Sequence, residues 1–397
     1  MINPGRAIGL HPAQPGRVGS KNSAVLFRGF SRHPDRTRPE IIGDLITLHA
    51  PGPVPATPEG ERMTDPTIGF HASHEQFTPA ELLRLVRFAE QAGFGAGMCS
   101  DHFHPWTPAQ GQSGFAWAWM GAALQATSWS FGAVSAPGQR YHPAILAQAA
   151  ATLAQMFPDR LWCALGSGQH LNEHITGQRW PTKTERNERL LECVQIMRAL
   201  WRGETVTHRG HVVVEEAKLY TLPARPPLIV GAALTPETAR WVGSWADAMI
   251  TVSAPHDELR QMVEAFRAGG GDGKPMYLQV HLAYAPTSEE ALAAAHQQWR
   301  ANVFGSPIQS EVKTPEQYET LGSRVRPDDM HGVVRISSDV EQHLTWLRQD
   351  LDLGFDHLYL HETGPHQERF IEVFGQQVLP RLRGGLTAFP ARRSGQS

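Results

Sequence analysis

Residues 96–106 read AGMCSDHFHPW, from Ala96 to Trp106. Ala96 to Ser100 are small or apolar, the composition of a short strand buried on both faces in a parallel sheet. Asp101 and His102 follow where that strand should end. A carboxylate beside an imidazole, then His104, Pro105 and Trp106, puts a titrating group, a rigid turn and a flat apolar wall in one loop. Such a loop suits a planar organic cofactor. The same residues also describe a polar loop around a satisfied histidine, so their meaning depends on what repeats around them.

Outward from this stretch, apolar strands alternate with amphipathic helices. The first helix has Thr78 as N-cap, Pro79 at its first position, Glu81 three residues after the cap and Gly93 past its end. Strands are expected at Thr67–Phe70, Ala96–Ser100, Ser130–Ser135, Leu161–Gly166, Leu228–Gly231, Ala248–Val252, Met276–Tyr284 and His357–His361. Helices are expected at Ala116–Thr127, Pro143–Phe157, Glu185–Arg202, Pro236–Trp245, His256–Ala268, Asp339–Asp352 and Gln367–Val378. Eight such units close most simply into a (β/α)8 TIM barrel. Two departures stand out. Thr205–Leu222 alternates about Arg209-Gly210 and reads as an added hairpin covering part of the rim. Ser288–Asp329 is too long for a plain loop and reads as an insertion after the seventh strand, where it would shape a substrate pocket.

The 397 residues fit one large barrel with insertions. Residues 1–62 are rich in Pro, Gly and Arg without helical periodicity, and are expected to form a disordered extension. Met63 stands directly before the first strand, and Glu59-Gly60-Glu61-Arg62 can be the translation of a purine-rich ribosome-binding site. This points to a start assigned too early. A net charge of -3 gives no broadly basic surface, which argues against nucleic acid and anionic membrane as partners. Cys99, Cys163 and Cys193 lack metal-ligand spacing and read as reduced core residues of a cytoplasmic protein.

Barrel chemistry sits at the C-terminal strand ends. Asp101-His102 follows the second strand, and Gly166-Ser167-Gly168 the fourth, opening a helical start with His170, Asn172, Glu173 and His174. A Gly-rich turn before a helix offers backbone N–H groups to phosphate. His102-Phe103-His104, with His170 and His174 four residues apart, also permits a divalent metal of a barrel hydrolase. That reading lacks ligands after the fifth and sixth strands, where Gly231-Ala232-Ala233 and Ser253-Ala254 stand, although His361 follows the eighth. No metal site is therefore assigned. Trp117, Trp119 and Trp129 have spacings of helix-on-barrel packing.

SDHFHPW (100–106), QSGFAWAWM (112–120), RYHPAILAQAAATL (140–153), ALGSGQHLNEHITG (164–177) and FDHLYLHETGPHQERFIEVF (355–374) together resemble the bacterial luciferase-like superfamily of flavin and deazaflavin oxidoreductases. Within it they resemble the branch of coenzyme F420-dependent glucose-6-phosphate dehydrogenases, including a subgroup that uses an ordinary flavin. The resemblance runs from Thr67 to about Arg383 and makes 63–397 a single luciferase-like barrel domain. It implies hydride transfer between a flavin-type ring and a small organic substrate. Asp101 would line the cofactor pocket, His102 would move the substrate's proton, and Trp106 would wall the substrate side. Ala133-Val134 matches the site of a non-proline cis peptide that presses the ring from behind. Gly166, Ser167 and Gly168, with Gly231, Ala232 and Ala233, would approach the phosphate-bearing chain of the cofactor. A homodimer is the expected assembly.

Departures from that branch bear on cofactor and substrate. Gln169 stands where the dehydrogenases carry an acid, and an amide cannot donate a proton as a carboxylic acid does. Glu173, one turn on, reads as a residue favourable to the helix dipole. Lysine is scarce; Arg240 occupies one site that matches the sugar-phosphate pocket. FMN, supplied by a flavin reductase and used by an oxidoreductase or monooxygenase, is the expected cofactor, with coenzyme F420 and a hydroxylated or sugar-like substrate as the alternative. Gln169 would also suit a flavin-binding relative without catalysis.

Overall fold

The computed structural model describes residues 66–383. The expected disordered extension over 1–62 and the start at Met63 lie outside the described residues. The chain runs β1 (Thr67–Ala72), α1 (Pro79–Gln91), β2 (Gly97–Cys99), α2 (Ala116–Ala126), β3 (Phe131–Ser135), α3 (Pro143–Met156), β4 (Leu161–Leu165), α4 (His170–Glu173) and α5 (Lys183–Trp201). It continues through β5 (Val206–Arg209), β6 (Val213–Ala217), β7 (Leu228–Ala232), α6 (Pro236–Gly243), β8 (Ala248–Val252), α7 (His256–Phe266) and β9 (Met276–Ala283). The insertion holds α8 (Ser288–Trp299), α9 (Ser306–Glu311) and α10 (Pro315–Gly322). The chain closes with β10 (Arg335–Ile336), α11 (Val340–Asp352), β11 (His357–Glu362), α12 (Gln367–Gln377) and α13 (Leu379–Arg383).

The order β11-β1-β2-β3-β4-β7-β8-β9, closed by pairing of β9 with β11, is the expected eight-stranded parallel barrel. Caps behave as their residue types require: the Thr78 hydroxyl accepts from the Glu81 N–H, and Thr182 with Glu185 forms a capping box. Alternation sorts each strand into two faces. Met98, Trp162, Val230, Ile250, Tyr277 and Tyr359 fill the barrel interior, while Cys99, Ala133, Cys163 and Ile229 pack against the helices. Gly132 is bare because the Trp162 ring takes the space: a Cβ there would lie 2.1 Å from it. The three cysteines are buried and free.

Three expectations change. The hairpin β5-β6 forms, but it lies along the flank: His208 pairs with Glu192 of α5 at 2.9 Å and the Val213 carbonyl meets His142 Nε2 at 2.9 Å. The rim is covered instead by the insertion after β9, whose Trp299 and Tyr318 pack on Trp106. The insertion also returns through β10, a two-residue strand on the edge of β9 that no sequence alternation announces. Finally, no cis peptide occurs among the described residues, so the Ala133-Val134 bond is trans. No helix among them is long and apolar enough to cross a membrane.

Candidate active site

The loop after β2 is held from below by polar contacts. The Asp101 carboxylate is buried and accepts from the Ser135 hydroxyl and from the Tyr141 hydroxyl at 2.8 Å, with Arg140 Nη1 at 3.4 Å. Arg140 Nη2 also donates to the Asp101 carbonyl at 2.8 Å. Trp117 Nε1 donates to Ser135 Oγ at 3.2 Å, extending the brace to α2. Asp101 therefore anchors the loop, both of its carboxylate oxygens being engaged by protein donors. From above, Asn172 Oδ1 accepts from the Phe103 and His104 N–H groups at 2.9 and 3.3 Å. Glu173 is likewise an anchor: buried, it accepts from the Arg140 N–H at 2.7 Å. Burial raises its pKa, opposed by Arg140. That is a stronger role than a helix-dipole contact.

His102, so framed, sits at the barrel mouth with its side chain 15% exposed and its Nδ1 3.1 Å from Glu75 Oε1. Burial lowers its pKa, opposed by the Glu75 charge, which leaves the imidazole neutral at pH 7 and able to accept a proton. Burial alone would raise Glu75, but His102 and the Ser100 hydroxyl, donating at 2.6 Å, hold it below the usual carboxylate range. The Nδ1 contact with Glu75 is an ion-pair approach without hydrogen-bond geometry, and Nε2 makes no hydrogen bond among the described residues. Its ring meets the Trp106 ring at 4.8 Å, edge to face, and Trp106 continues into Tyr318 at 5.3 Å. Glu75 is the site residue that sequence reasoning missed. Ending the first strand at Phe70 put the rim two residues early; β1 runs to Ala72, and Glu75 then falls at the same strand-end level as His102.

Replacing Glu75 with Gln removes the charge that raises His102. The acid limb of the pH–rate profile should move to lower pH, and turnover should fall by less than the ~100-fold expected of losing the imidazole itself. A pH profile of the variant measures both, and an unmoved acid limb would separate Glu75 from the chemistry.

On the strands that follow, β3, β4 and β7, side-chain parity divides the expected cofactor residues. Val134 and Ala232 point into the mouth, whereas Ala133, Gly231 and Ala233 face the helices; a Cβ at Gly231 would lie 2.3 Å from Val242 Cγ1 on α6. Gly166 completes a shelf with the inward pair, since a Cβ there would stand 3.7 Å from both Val134 Cγ1 and Ala232 Cβ. Gly168 has φ of 87°, which suits glycine, and any Cβ would come 3.2 Å from Glu173 Cγ. The N–H groups of Ser167, Gly168 and Gln169 find no acceptor among the described residues. Lys183 Nζ donates to Ser167 Oγ at 2.8 Å. A flat apolar shelf beside a turn with free donors fits a tricyclic ring with an anionic tail.

Gln169 is half-buried on this rim as the residue before α4, and its side chain makes no hydrogen bond within the described residues. His102 and Gln169 share the C-terminal face. Arg240 does not: it is exposed near the C-terminus of α6, 3.5 Å from the Ala268 carbonyl beyond α7, because helices of a barrel end at the opposite face from the strands. The pair His170 and His174 directs Nδ1 to the Glu311 and His170 carbonyls, with rings stacked on Trp180 and His104.

Residues 61–357 match the model of the luciferase-like monooxygenase family. The F420-dependent glucose-6-phosphate dehydrogenase of Nakamurella multipartita is 35% identical over 335 residues, which are 81% of this chain and 98% of that protein. The solved structure of an F420-dependent secondary alcohol dehydrogenase in complex with an F420-acetone adduct superposes with a TM-score of 0.74 at 30% identity, covering 81% of this chain and 100% of that one. A type II Baeyer-Villiger monooxygenase from Pseudomonas putida in complex with FMN shares the fold, with a TM-score of 0.57 at 15% identity over 80% of this chain and 99% of that one. A barrel with a braced Asp101-His102 loop, matched along most of its length by these relatives, belongs to the luciferase-like oxidoreductase family.

Proposed function

We propose that this chain transfers hydride between a flavin-type ring and a hydroxyl or carbonyl group of a small organic substrate, with His102 handling the substrate's proton. The observation that carries the reading is the His102-Glu75 pair: a buried carboxylate 3.1 Å from Nδ1 of an imidazole whose other nitrogen makes no hydrogen bond among the described residues. The bound cofactor supplies the hydride acceptor or donor, which no side chain provides. The chain's own residues do the rest. His102 Nε2 takes the hydroxyl proton as hydride leaves carbon, and returns it in the reverse direction. The imidazolium so formed is stabilised by Glu75, which also sets the ring's orientation. Trp106 and Tyr318 close one side against water. Val134, Gly166 and Ala232 would carry the ring, and the turn at Ser167 and Gly168, with Lys183, its anionic tail.

Of the two cofactors, coenzyme F420 draws support from the names of the relatives at 30–35% identity. FMN draws its support from Gln169, an amide in the place of the acid that F420-dependent dehydrogenases of this branch carry. An FMN enzyme would need a flavin reductase and could use oxygen. Fluorescence titration of the purified protein with each cofactor decides between them. Micromolar or tighter binding of F420, with FMN at least ~100-fold weaker, is the expected result; the opposite order assigns FMN, and binding of neither removes the oxidoreductase reading.

A further inference from the structure

The barrel mouth beside His102 has a polar floor that the chemistry above does not use. Gln279 and His281 of β9 and His361 of β11 alternate with outward residues and so point inward: Gln279 stands level with Tyr359 and one step above Tyr277, and His281 with His361 one step higher. His71 of β1 joins them, its ring 4.4 Å from that of His361. Gln279 and His281 are only half-buried, so the floor is reachable from the mouth.

The protonation pattern follows from the partners. Gln76 Nε2 donates to the Thr363 carbonyl at 2.8 Å, which fixes its amide and turns Oε1 toward His361 Nε2 at 3.2 Å. His361 Nε2 must therefore carry hydrogen, and its Nδ1 is bare. Gln279 Nε2 lies 3.2 Å from that Nδ1 and 3.2 Å from His281 Nε2, so its two amide hydrogens serve two bare nitrogens. Neither imidazole can take a second proton without displacing the amide. Burial agrees, lowering His71 to about 3 and, together with Arg335, His281 to about 4.

No uncompensated cation reaches this floor among the described residues. Arg335, which acts on His281 electrostatically, is held by Asp350 through both Nη atoms. Arg140 is held by Asp101 and Glu173. Around His71 stand His74 and His102, both lowered by burial, and Glu75, whose charge faces His102. Among the described residues, two buried polar atoms at the floor lack hydrogen-bond partners, His71 Nδ1 and Trp299 Nε1. Trp299 touches His281 and His361 at 5.2 and 4.7 Å and Trp106 at 6.5 Å, linking floor to catalytic wall.

Resting on the hydride-transfer reading, we infer that Gln279, His281, His361 and His71 form an uncharged hydrogen-bonding floor that selects a neutral alcohol or carbonyl compound and turns away its phosphate ester. An anion brought there gives up its hydration without meeting a cation, a loss that a neutral hydroxyl or carbonyl oxygen incurs to a much smaller degree.

The test compares the cofactor-loaded wild type with Gln279→Glu, which keeps the shape and removes both donors. In nitrogen-15 histidine spectra, His281 and His361 of the wild type should each keep one bare nitrogen between about pH 5 and 8, and in Gln279→Glu both should protonate within that range. Calorimetry with 2-butanol, 2-butanone, glucose, glucose 6-phosphate and inorganic phosphate should show saturable binding of at least one neutral probe, weakened about tenfold in the variant, and none of the two anions. Tighter binding of either anion, binding of no neutral probe, or wild-type titration of both imidazoles in that range would overturn the inference; His71→Asn repeats the calorimetry if Gln279→Glu fails to fold. A neutral probe that binds but reacts with neither cofactor leaves the floor standing and sinks the hydride-transfer reading.

Discussion

His102→Ala should lower turnover by ~100-fold or more, the scale of a lost general acid-base group, while cofactor affinity stays within about twofold of wild type. The split follows from geometry. The imidazole stands between Glu75 and Trp106 and makes no hydrogen bond or ring contact with the Val134, Gly166 and Ala232 shelf. The loop's anchors do not pass through its side chain: Asp101 is held by Ser135, Tyr141 and Arg140, and Phe103 and His104 by Asn172. Glu75 keeps its bonds from Ser73 and Ser100 when the ring is removed. Stopped-flow hydride transfer and fluorescence titration on the same preparation measure the two quantities. Undiminished turnover would reduce His102 to a packing residue.

Arg335→Met should destabilise the fold by about 3–5 kcal/mol at neutral pH, the cost of leaving a buried carboxylate without its partner. Asp350 on α11 is fully buried and receives both Nη atoms of Arg335, whose side chain is 15% exposed. Burial raises Asp350, opposed by Arg335. Removing the guanidinium removes the opposition, so Asp350 rises further and takes up a proton. In the variant, the folded state then binds more protons than the unfolded state above the ordinary carboxylate range. The deficit should shrink as pH is lowered toward that range. Urea unfolding at neutral and mildly acid pH checks both points, and a deficit that does not depend on pH would exclude the unpaired carboxylate as its cause. Because Arg335 begins β10, the loss should be accompanied by loosening of the segment that returns the insertion to the barrel.

How much of this was legible beforehand depends on which contacts a feature needs. The eight barrel strands, the helices between them and the position of the insertion follow from periodicity, caps and turn residues, all settled by neighbours a few positions apart in the chain. So does the location of His102 and the Gly-Ser-Gly turn, because a strand's C-terminal end is also its rim. The role of Asp101 was not legible, since its partners Ser135, Arg140 and Tyr141 reach it from the end of the next strand and the loop beyond it, more than 30 positions along the chain. The sequence by itself therefore determined a parallel barrel with an acid-base loop on its rim. Only the tertiary structure decided that Glu75 faces His102, that Ala232 but not Gly231 enters the mouth, that Arg240 lies outside it, and that Gln279 meets His281 and His361. Arg240 is carried away by the direction of its helix; the others turn on strand register and side-chain parity, and a one-residue change in where a strand begins or ends sends its side chains to the other face.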